Sequence, residues 1–327
     1  MSVLLTGATG FVGKAVIADL LSKTFSVKAL VRQPSAELPL SVKQVVVGDL
    51  AELALDDSSS FLRDEFNGVD VVVHTAARAH MMHDDASDPL VEFRKMNRDV
   101  TLVLARLAAE AGVKRFIFLS SIKVNGESTS CHAPFTAFDT RKPEDPYGQS
   151  KSEAEEQLLA LGIATDMEMV IIRPPLIYGE GVKANFASLI RLVGKGLPLP
   201  FRAINQNKRS LVSVYNLVDL IKVCIDHPKA VNQVFLVSDD DDMSTSRMVA
   251  LMAKVQGKAN LSIPIPVWCF KLAGKLFRKK AVVDRLVGSL QLDIEHTKNT
   301  LNWVPPYSVD HGFKLAAKKM KLDEVND

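Results

Sequence analysis

Cysteine is scarce in this chain. Its 327 residues contain three, Cys131, Cys224 and Cys269. They are too widely spaced for a zinc ligand set or a disulfide framework, and such usage points to a reducing cytoplasm. An excess of either charge is also missing: 40 Lys and Arg against 38 Asp and Glu leave a formal net charge of +2. So even a balance carries no electrostatic signature of nucleic acid or of an anionic membrane as the main partner. No run is apolar enough to span a bilayer. The longest, residues 263–276 (IPIPVWCFKLAGKL), is broken by two prolines and two lysines and falls well short of the ~20 residues a span requires. It reads as a buried or interfacial helix of a soluble domain, with a peripheral membrane anchor as the alternative. A secretory leader is not expected, because Gly7, Gly10 and Gly13 interrupt the apolar start and no basic segment precedes it.

What is present is ordinary globular material. Hydrophobic residues make up 47% and charged residues 24%, which excludes wholesale disorder and suffices for a full-sized core. The length suits about two domains. In the N-terminal half two periodicities alternate. Short apolar runs at 3–6, 27–31, 45–47, 69–74, 115–119 and 168–172 read as strands, and helical spacing fills 14–22, 102–111 and 152–161. The run at 69–74 (VDVVVH) is almost unbroken, as in strands buried on both faces. This alternation predicts an α/β fold with a parallel sheet covered by helices on both sides. After Pro174 the pattern loosens; a strand at 210–214, a helix at 217–226 and a strand at 233–237 precede a mostly helical remainder. The acidic run 239–242 reads as a solvated loop before a helix N-terminus, since four successive carboxylates do not converge on one ion.

The turn after the first strand is Thr6-Gly7-Ala8-Thr9-Gly10-Phe11-Val12-Gly13. Its spacing is G-x-x-G-x-x-G, between a strand and a helix. That context gives a tight turn, a close backbone approach to a pyrophosphate, and close helix–strand packing, with the phosphates at a helix N-terminus. A dinucleotide site of this kind places an acid about 20 residues on to hold the adenosine ribose. Here Arg32 follows the second strand instead. A guanidinium pairs well with a phosphate, so NADP(H) is preferred over NAD(H); stacking on adenine and pointing to solvent are the other roles open to Arg32. Asp49 either accepts a bond from the adenine amino group or caps the following helix.

Tyr147 and Lys151 lie four residues apart, on one face of a helix. An ammonium beside a phenol favours the phenolate and brings its titration, normally near ~10, towards neutrality. The phenol can then give or take a proton. Ser121, after the fifth strand, would hold the substrate oxygen beside it. His74 ends the fourth strand near the cofactor, in a packing or a chemical role. The segment with His80, His83, Asp84 and Asp85 reads as a loop bordering the pocket rather than a metal site, and Trp303 and Pro305 as packing for the C-terminal tail.

With these pieces the chain resembles the extended short-chain dehydrogenase/reductases, in particular the nucleotide-sugar epimerase/dehydratase group. The matching motifs are TGATGFVG from Thr6, GDL from Gly48, HTAA from His74, Asn97 with Thr101, LSSIKVNGE from Leu119, PYGQSK from Pro146, RPPLIYG from Arg173, RSLVSVYNLVD from Arg209 and NWVPPYS from Asn302. The resemblance implies a Rossmann-like, doubly wound parallel sheet with a smaller, mostly helical C-terminal substrate domain. The dinucleotide domain would be 1–175, with 205–240 returning to it, and the substrate domain 176–204 and 241–327. It implies Ser121, Tyr147 and Lys151 as the catalytic set, the serine lying five residues before Gly126. Cofactor contacts would come from Gly7, Gly10, Phe11, Val12, Gly13, Arg32, Asp49, Leu50, Ala76, Ala77, Tyr147, Lys151 and Pro174. Substrate contacts would come from Ser121, Arg209 at the diphosphate, and Asn185 and Arg285. A homodimer through helices near 89–112 and 147–161 is implied as well.

The departures matter. Dehydratases of the group carry an Asp-Glu pair after the catalytic residue; here Ile122 and Lys123 stand there, and isoleucine cannot donate a proton. Epimerases of the group commonly have an acid where Arg32 stands, and Asn125 replaces a common tyrosine. The segments LPLPF and NKRSLVSVYNLVDLI are similar to those of bacterial enzymes that reduce a UDP-4-keto-6-deoxy-N-acetylhexosamine. The expectation is an NADPH-dependent 4-keto reductase of a UDP-sugar, with no metal and no nucleic-acid partner. The alternatives are an NAD-dependent UDP-glucose or UDP-N-acetylglucosamine 4-epimerase and a non-catalytic dinucleotide sensor.

Overall fold

The computed structural model describes residues 1–53, 60–79, 88–130, 132–182 and 184–326. Cys131 and the segment holding His80, His83, Asp84 and Asp85 lie outside these. The strands are β1 Ser2–Thr6, β2 Ser26–Val31, β3 Lys43–Val46, β4 Val71–His74, β5 Arg115–Leu119, β6 Glu168–Arg173, β7 Leu176–Tyr178, β8 Leu211–Ser213 and β9 Gln233–Leu236. The helices are α1 Phe11–Leu21, α2 Leu50–Leu53, α3 Ser60–Arg63, α4 Pro89–Arg94, α5 Val100–Glu110, α6 Pro146–Ala164, α7 Ala184–Gly194, α8 Val214–Asp226, α9 Thr245–Val255, α10 Val267–Leu276, α11 Lys280–Val287, α12 Glu295–Leu301 and α13 Val309–Asn326.

Seven strands form one parallel sheet in the order β3-β2-β1-β4-β5-β6-β9. The chain winds outward from β1 through β2 to β3, then crosses back to start again at β4. That reversal opens a crevice at the carboxyl ends of β1 and β4, where open α/β sheets take their ligands. Neighbouring strand residues point to opposite faces, which is why both faces can be apolar only if the run is continuous. Val3, Leu5, Val71, Val73 and Ile117 pack with Val16, Ile17 and Leu20 of α1 and Leu217, Leu220 and Ile221 of α8. Leu4, Val72, Phe116 and Phe118 pack on the other side with Leu104, Ala105 and Ala108 of α5 and Ala154 and Leu158 of α6. The expected Rossmann-like architecture is therefore present. A third cluster, with Tyr178, Phe186, Ile190, Met248, Met252 and Phe313, holds α7, α9 and α13 together beside the small β7–β8 pair.

Three local expectations change. The helix expected at 152–161 begins at Pro146, because Asp145 caps it by accepting from the Gly148 amide at 2.7 Å and Pro146 suits the first helical position. The acidic run is not uniformly solvated. Asp239 is buried, bound to Tyr178 Oη at 2.7 Å, Asn216 Nδ2 at 2.6 Å and the Ser213 amide at 2.8 Å, and burial pushes its carboxyl above the usual range. Of the two readings of 263–276, buried or interfacial, burial fails: α10 leaves Trp268, Leu272 and Leu276 exposed. Trp303 does pack the tail, buried with its indole donating to Asp219 at 2.9 Å. Among the described residues no helix is long and apolar enough to cross a membrane.

Candidate active site

The β1–α1 turn is shaped by two glycines. Gly7 has φ +73°, and a Cβ there would sit 2.7 Å from the Ala76 amide and Thr75 Oγ1. Gly13 lies inside α1, where a Cβ would fall 2.1 Å from the Gly7 carbonyl oxygen. A side chain at Gly13 would push α1 off the turn, and one at Gly7 would collide with the segment that follows β4. Gly10 is the N-cap of α1 and donates its amide to Gly7 O at 2.9 Å. The first amides of α1 thus face a cavity of about 570 Å³ lined by Gly7, Gly10, Arg32, Leu50, Ala76 and Ala77, among others. An elongated dinucleotide fits this cradle, its pyrophosphate at the positive end of α1. Phe11 and Val12 are partly buried and pack on the core beneath the turn. Asp49 is exposed and accepts from the Ala51 amide at 3.0 Å, a contact that caps α2. Arg32 is exposed at the mouth, and Glu37 of the same wall is paired with Lys14 at 2.6 Å.

Behind the cradle a buried hydrogen-bond chain ties the strand ends together. Thr101 Oγ1 donates to Asn97 O at 2.9 Å, so it accepts from His74 Nε2, also at 2.9 Å. His74 Nδ1 then accepts from Thr6 Oγ1 at 2.8 Å, and Thr6 Oγ1 accepts the Ala76 amide at 3.2 Å. Burial, reinforced by the nearby Lys151 charge, lowers the His74 imidazole to about 3. Its ring nitrogens are both engaged by threonine hydroxyls, Thr6 and Thr101, within the core. Asn97 lies in a π-helical segment, Lys95–Asp99, that joins α4 to α5, and its amide reaches Arg78 O at 3.1 Å and Ser150 Oγ at 3.0 Å.

Ser121, Tyr147 and Lys151 come together at the carboxyl end of β5. The Ser121 hydroxyl lies beside the Tyr147 phenol, close enough to favour its ionised form. The Tyr147 ring meets Phe93 edge-on with centroids 5.9 Å apart. Lys151 is fully buried; its ammonium donates to Leu119 O at 2.9 Å and lies 4.3 Å from the centre of the Phe118 ring. Burial lowers Lys151 to about 7, against the pull of Glu155. The expected lowering of the phenol does not occur in the chain by itself. Burial and the Asp145 carboxylate push Tyr147 up to about 12, with only the Ser121 hydroxyl working the other way. Lys151 spends its charge on the Leu119 carbonyl and the Phe118 ring instead of on the phenol.

Directly below lies a layer that motif reading did not single out. Glu155, one helical turn after Lys151, is fully buried and accepts from Arg173 Nε at 3.0 Å and Nη2 at 2.5 Å, and from Ser120 Oγ at 2.5 Å. Arg173 Nη1 also donates to Asn125 Oδ1 at 3.0 Å, and Asn125 Nδ2 donates to Thr136 O at 2.9 Å. Asn125 therefore faces this layer. Pro174 is buried and its carbonyl accepts the Ile122 amide at 2.9 Å. The signal was in the sequence: an arginine closing the apolar β6 run EMVII must find a counter-charge once buried. Ile122 is buried in the core, and Lys123 is paired with Asp145 and, at 2.8 Å, with Glu127.

The loop after β5 leads to the last candidates. Thr129 N donates to Ser289 O at 2.9 Å and Phe135 N to Gln291 O at 2.8 Å, so this loop runs beside the end of α11. There Arg209 donates to Arg285 O at 2.9 Å and Gly288 O at 3.3 Å. Burial and the Arg285 charge hold the Arg209 guanidinium below its usual value. Among the described residues neither guanidinium has a carboxylate partner, and two such neighbouring cations suit an anion. Asn185 stands in α7; its side chain lies outside the described residues.

A nucleotide-binding sheet, a glycine cradle and a Ser-Tyr-Lys set define an NAD(P)-dependent enzyme of nucleotide sugars. The NAD dependent epimerase/dehydratase family matches residues 3–238, and the chain belongs to that family. It is 53% identical over 318 residues to a UDP-glucose 4-epimerase of Vibrio cholerae, covering 97% of this chain and 94% of that one. It is 29% identical over 329 residues, 95% of this chain and 92% of the other, to an N-acetyl-alpha-D-glucosaminyl-diphospho-ditrans,octacis-undecaprenol 4-epimerase of Escherichia coli O157:H7. In fold it is similar to the UDP-glucose 4-epimerase of Thermotoga maritima crystallised with UDP-glucose, with TM-score 0.78, 20% identity, and 99% and 100% of the two chains covered.

Proposed function

We propose that the chain is a UDP-sugar 4-epimerase that uses a resident nicotinamide dinucleotide. The observation that carries this reading is the 53% identity with a UDP-glucose 4-epimerase across 97% of the chain, which includes the C-terminal region as well as the cofactor half. The epimerase alternative is thus better supported than the reductase. The geometry supports the same chemistry. Gly7, Gly10, Gly13 and the first turn of α1 would hold the pyrophosphate, with Ala76, Ala77 and Leu50 along the adenosine side. When bound, the oxidised dinucleotide supplies a hydride acceptor for carbon 4 and a positive charge beside the phenol. Tyr147 Oη would take the proton of the 4-hydroxyl and return it, Ser121 Oγ would hold the same oxygen, and Lys151 would keep its ammonium on the cofactor side of the phenol. A phenol at about 12 is a proton donor at rest, and positive charge is what turns it into an acceptor. Arg209 and Arg285 would neutralise the diphosphate. Ile122 in the core and Lys123 in ion pairs put no acid at the two positions that follow Ser121.

One observation favours a second reading. Arg32 at the adenosine mouth, with Glu37 occupied by Lys14, supports a ribose phosphate and hence NADP(H), as an exchangeable-cofactor 4-keto reductase would need. We also propose that 1–175 with 205–240 forms the cofactor domain, that 176–204 with 241–327 forms the substrate domain, and that two copies pair through α4–α5 and α6. Incubating the purified protein with UDP-glucose or UDP-N-acetylglucosamine, without added dinucleotide, should give the 4-epimers. Turnover that requires stoichiometric NADPH and a 4-keto sugar would replace the epimerase by the reductase.

A further inference from the structure

The α10–α11 hairpin is the part of the chain least accounted for by its own fold. Trp268, Leu272 and Leu276, spaced by four, form one stripe of α10 and are 64%, 59% and 74% exposed. Phe277 and Val282 continue it at 69% and 59%. Of α10 only Gly274 is buried, and of α11 nothing is. Yet the two helices are packed against each other. A Cβ on Gly274 would lie 2.7 Å from Val283 Cγ2, so the two helices touch backbone to side chain. Phe270 stacks on Phe201 with centroids 6.2 Å apart, fixing α10 to the body.

The charge around this stripe is one-sided. Lys271, Lys275, Arg278, Lys279 and Lys280 are all exposed, and none of them is ion-paired among the described residues. Between 258 and 285 the only acid is Asp284. The near-neutral total therefore conceals a local basic surface wrapped round an apolar ridge with a tryptophan. A partner groove without an acidic rim would leave the five cations unmatched. A bilayer interface with anionic headgroups satisfies both features at once, the apolar side chains at the acyl boundary and the cations at the phosphates. We propose that α10 and α11 dock the protein peripherally on an anionic membrane surface. The docking is independent of which sugar reaction the site performs. It would place the membrane next to α11, whose Arg285 neighbours Arg209.

The test uses the full-length protein and vesicles of phosphatidylcholine with or without 30% phosphatidylglycerol (~30%, enough to give a strongly negative surface). The protein should sediment with the anionic vesicles, weakly or not at all with the neutral ones, and be released by high salt. Trp303 is buried, so a blue shift of fluorescence on binding would report Trp268. Lys275→Ala with Lys279→Ala should weaken partitioning by about 30-fold, at about 5-fold per basic residue. Trp268→Ser with Leu276→Ser should abolish the fluorescence shift and most of the binding. Both variants should keep the melting temperature and the turnover of soluble substrate. Equal binding to neutral and anionic vesicles, or none to either, would overturn the proposal. So would a Trp268→Ser/Leu276→Ser variant whose only change is a smaller oligomer, which would make the ridge a contact between copies of the chain.

Discussion

Replacing Arg173 by methionine tests whether the buried layer under the site is a structural charge pair. The side chain of Glu155 has no exposed surface and that of Arg173 is 4% exposed. Two of the three donor atoms on the Glu155 carboxylate, Nε and Nη2, belong to Arg173, and the third is Ser120 Oγ. Methionine fills a similar volume and offers none, so the carboxylate is left buried with a single hydroxyl. Removing one partner of a buried pair costs about 3–5 kcal/mol. For a chain this long each kcal/mol lowers the melting temperature by about 2 °C, so a fall of about 6–10 °C is expected in thermal unfolding followed by circular dichroism. Adding Glu155→Gln removes the stranded charge, and its amide can still bond Ser120. The double variant should therefore recover at least half of the loss. A single variant within about 2 °C of the parent, or a double variant no better than the single, would refute the reasoning. The pair also reaches the chemistry, since the Glu155 charge favours the Lys151 ammonium. In Glu155→Gln alone, the limb of the pH–rate profile that reports Lys151 should move to lower pH.

Tyr147→Phe should reduce turnover by at least about 10²–10⁴-fold while dinucleotide binding, read by fluorescence titration, stays within a factor of two or so; full activity would remove Tyr147 from its role. Arg32→Glu should shift cofactor preference from NADP(H) towards NAD(H), and an unchanged ratio of affinities would show that Arg32 does not face the ribose phosphate. His74 gives a pH prediction. It stays neutral to about 3 in the fold against 6.5 when free, so below 6.5 the unfolded chain binds a proton that the native chain refuses. Stability from this group is whole above pH 6.5 and falls as pH drops towards 3, by about 2 kcal/mol at pH 5. His74→Asn should flatten the stability-versus-pH curve from urea unfolding between pH 7 and 5, and an unchanged slope would show the imidazole to be protonated in the fold.

The sequence alone determined the parts that depend on neighbours along the chain. Apolar runs such as 69–74 between turn signals read as strands, and the glycines at 7, 10 and 13 follow one strand and open one helix, so the sheet and the cofactor cradle were legible. So was the candidate set Ser121, Tyr147 and Lys151, since helical spacing and a strand end place each locally. Tertiary structure decided what depends on distant partners. Only the fold shows Arg173 of β6 reaching Glu155 of α6 and Asn125 beyond β5, and Lys151 directed to Leu119 and Phe118 instead of lowering the phenol. It also buried Asp239 out of an acidic run that looked solvated, and left the 263–276 segment, apolar enough to expect burial, on the surface. Hydrophobicity records what a residue would gain by burial, but whether another element is there to cover it is settled by packing across the whole chain.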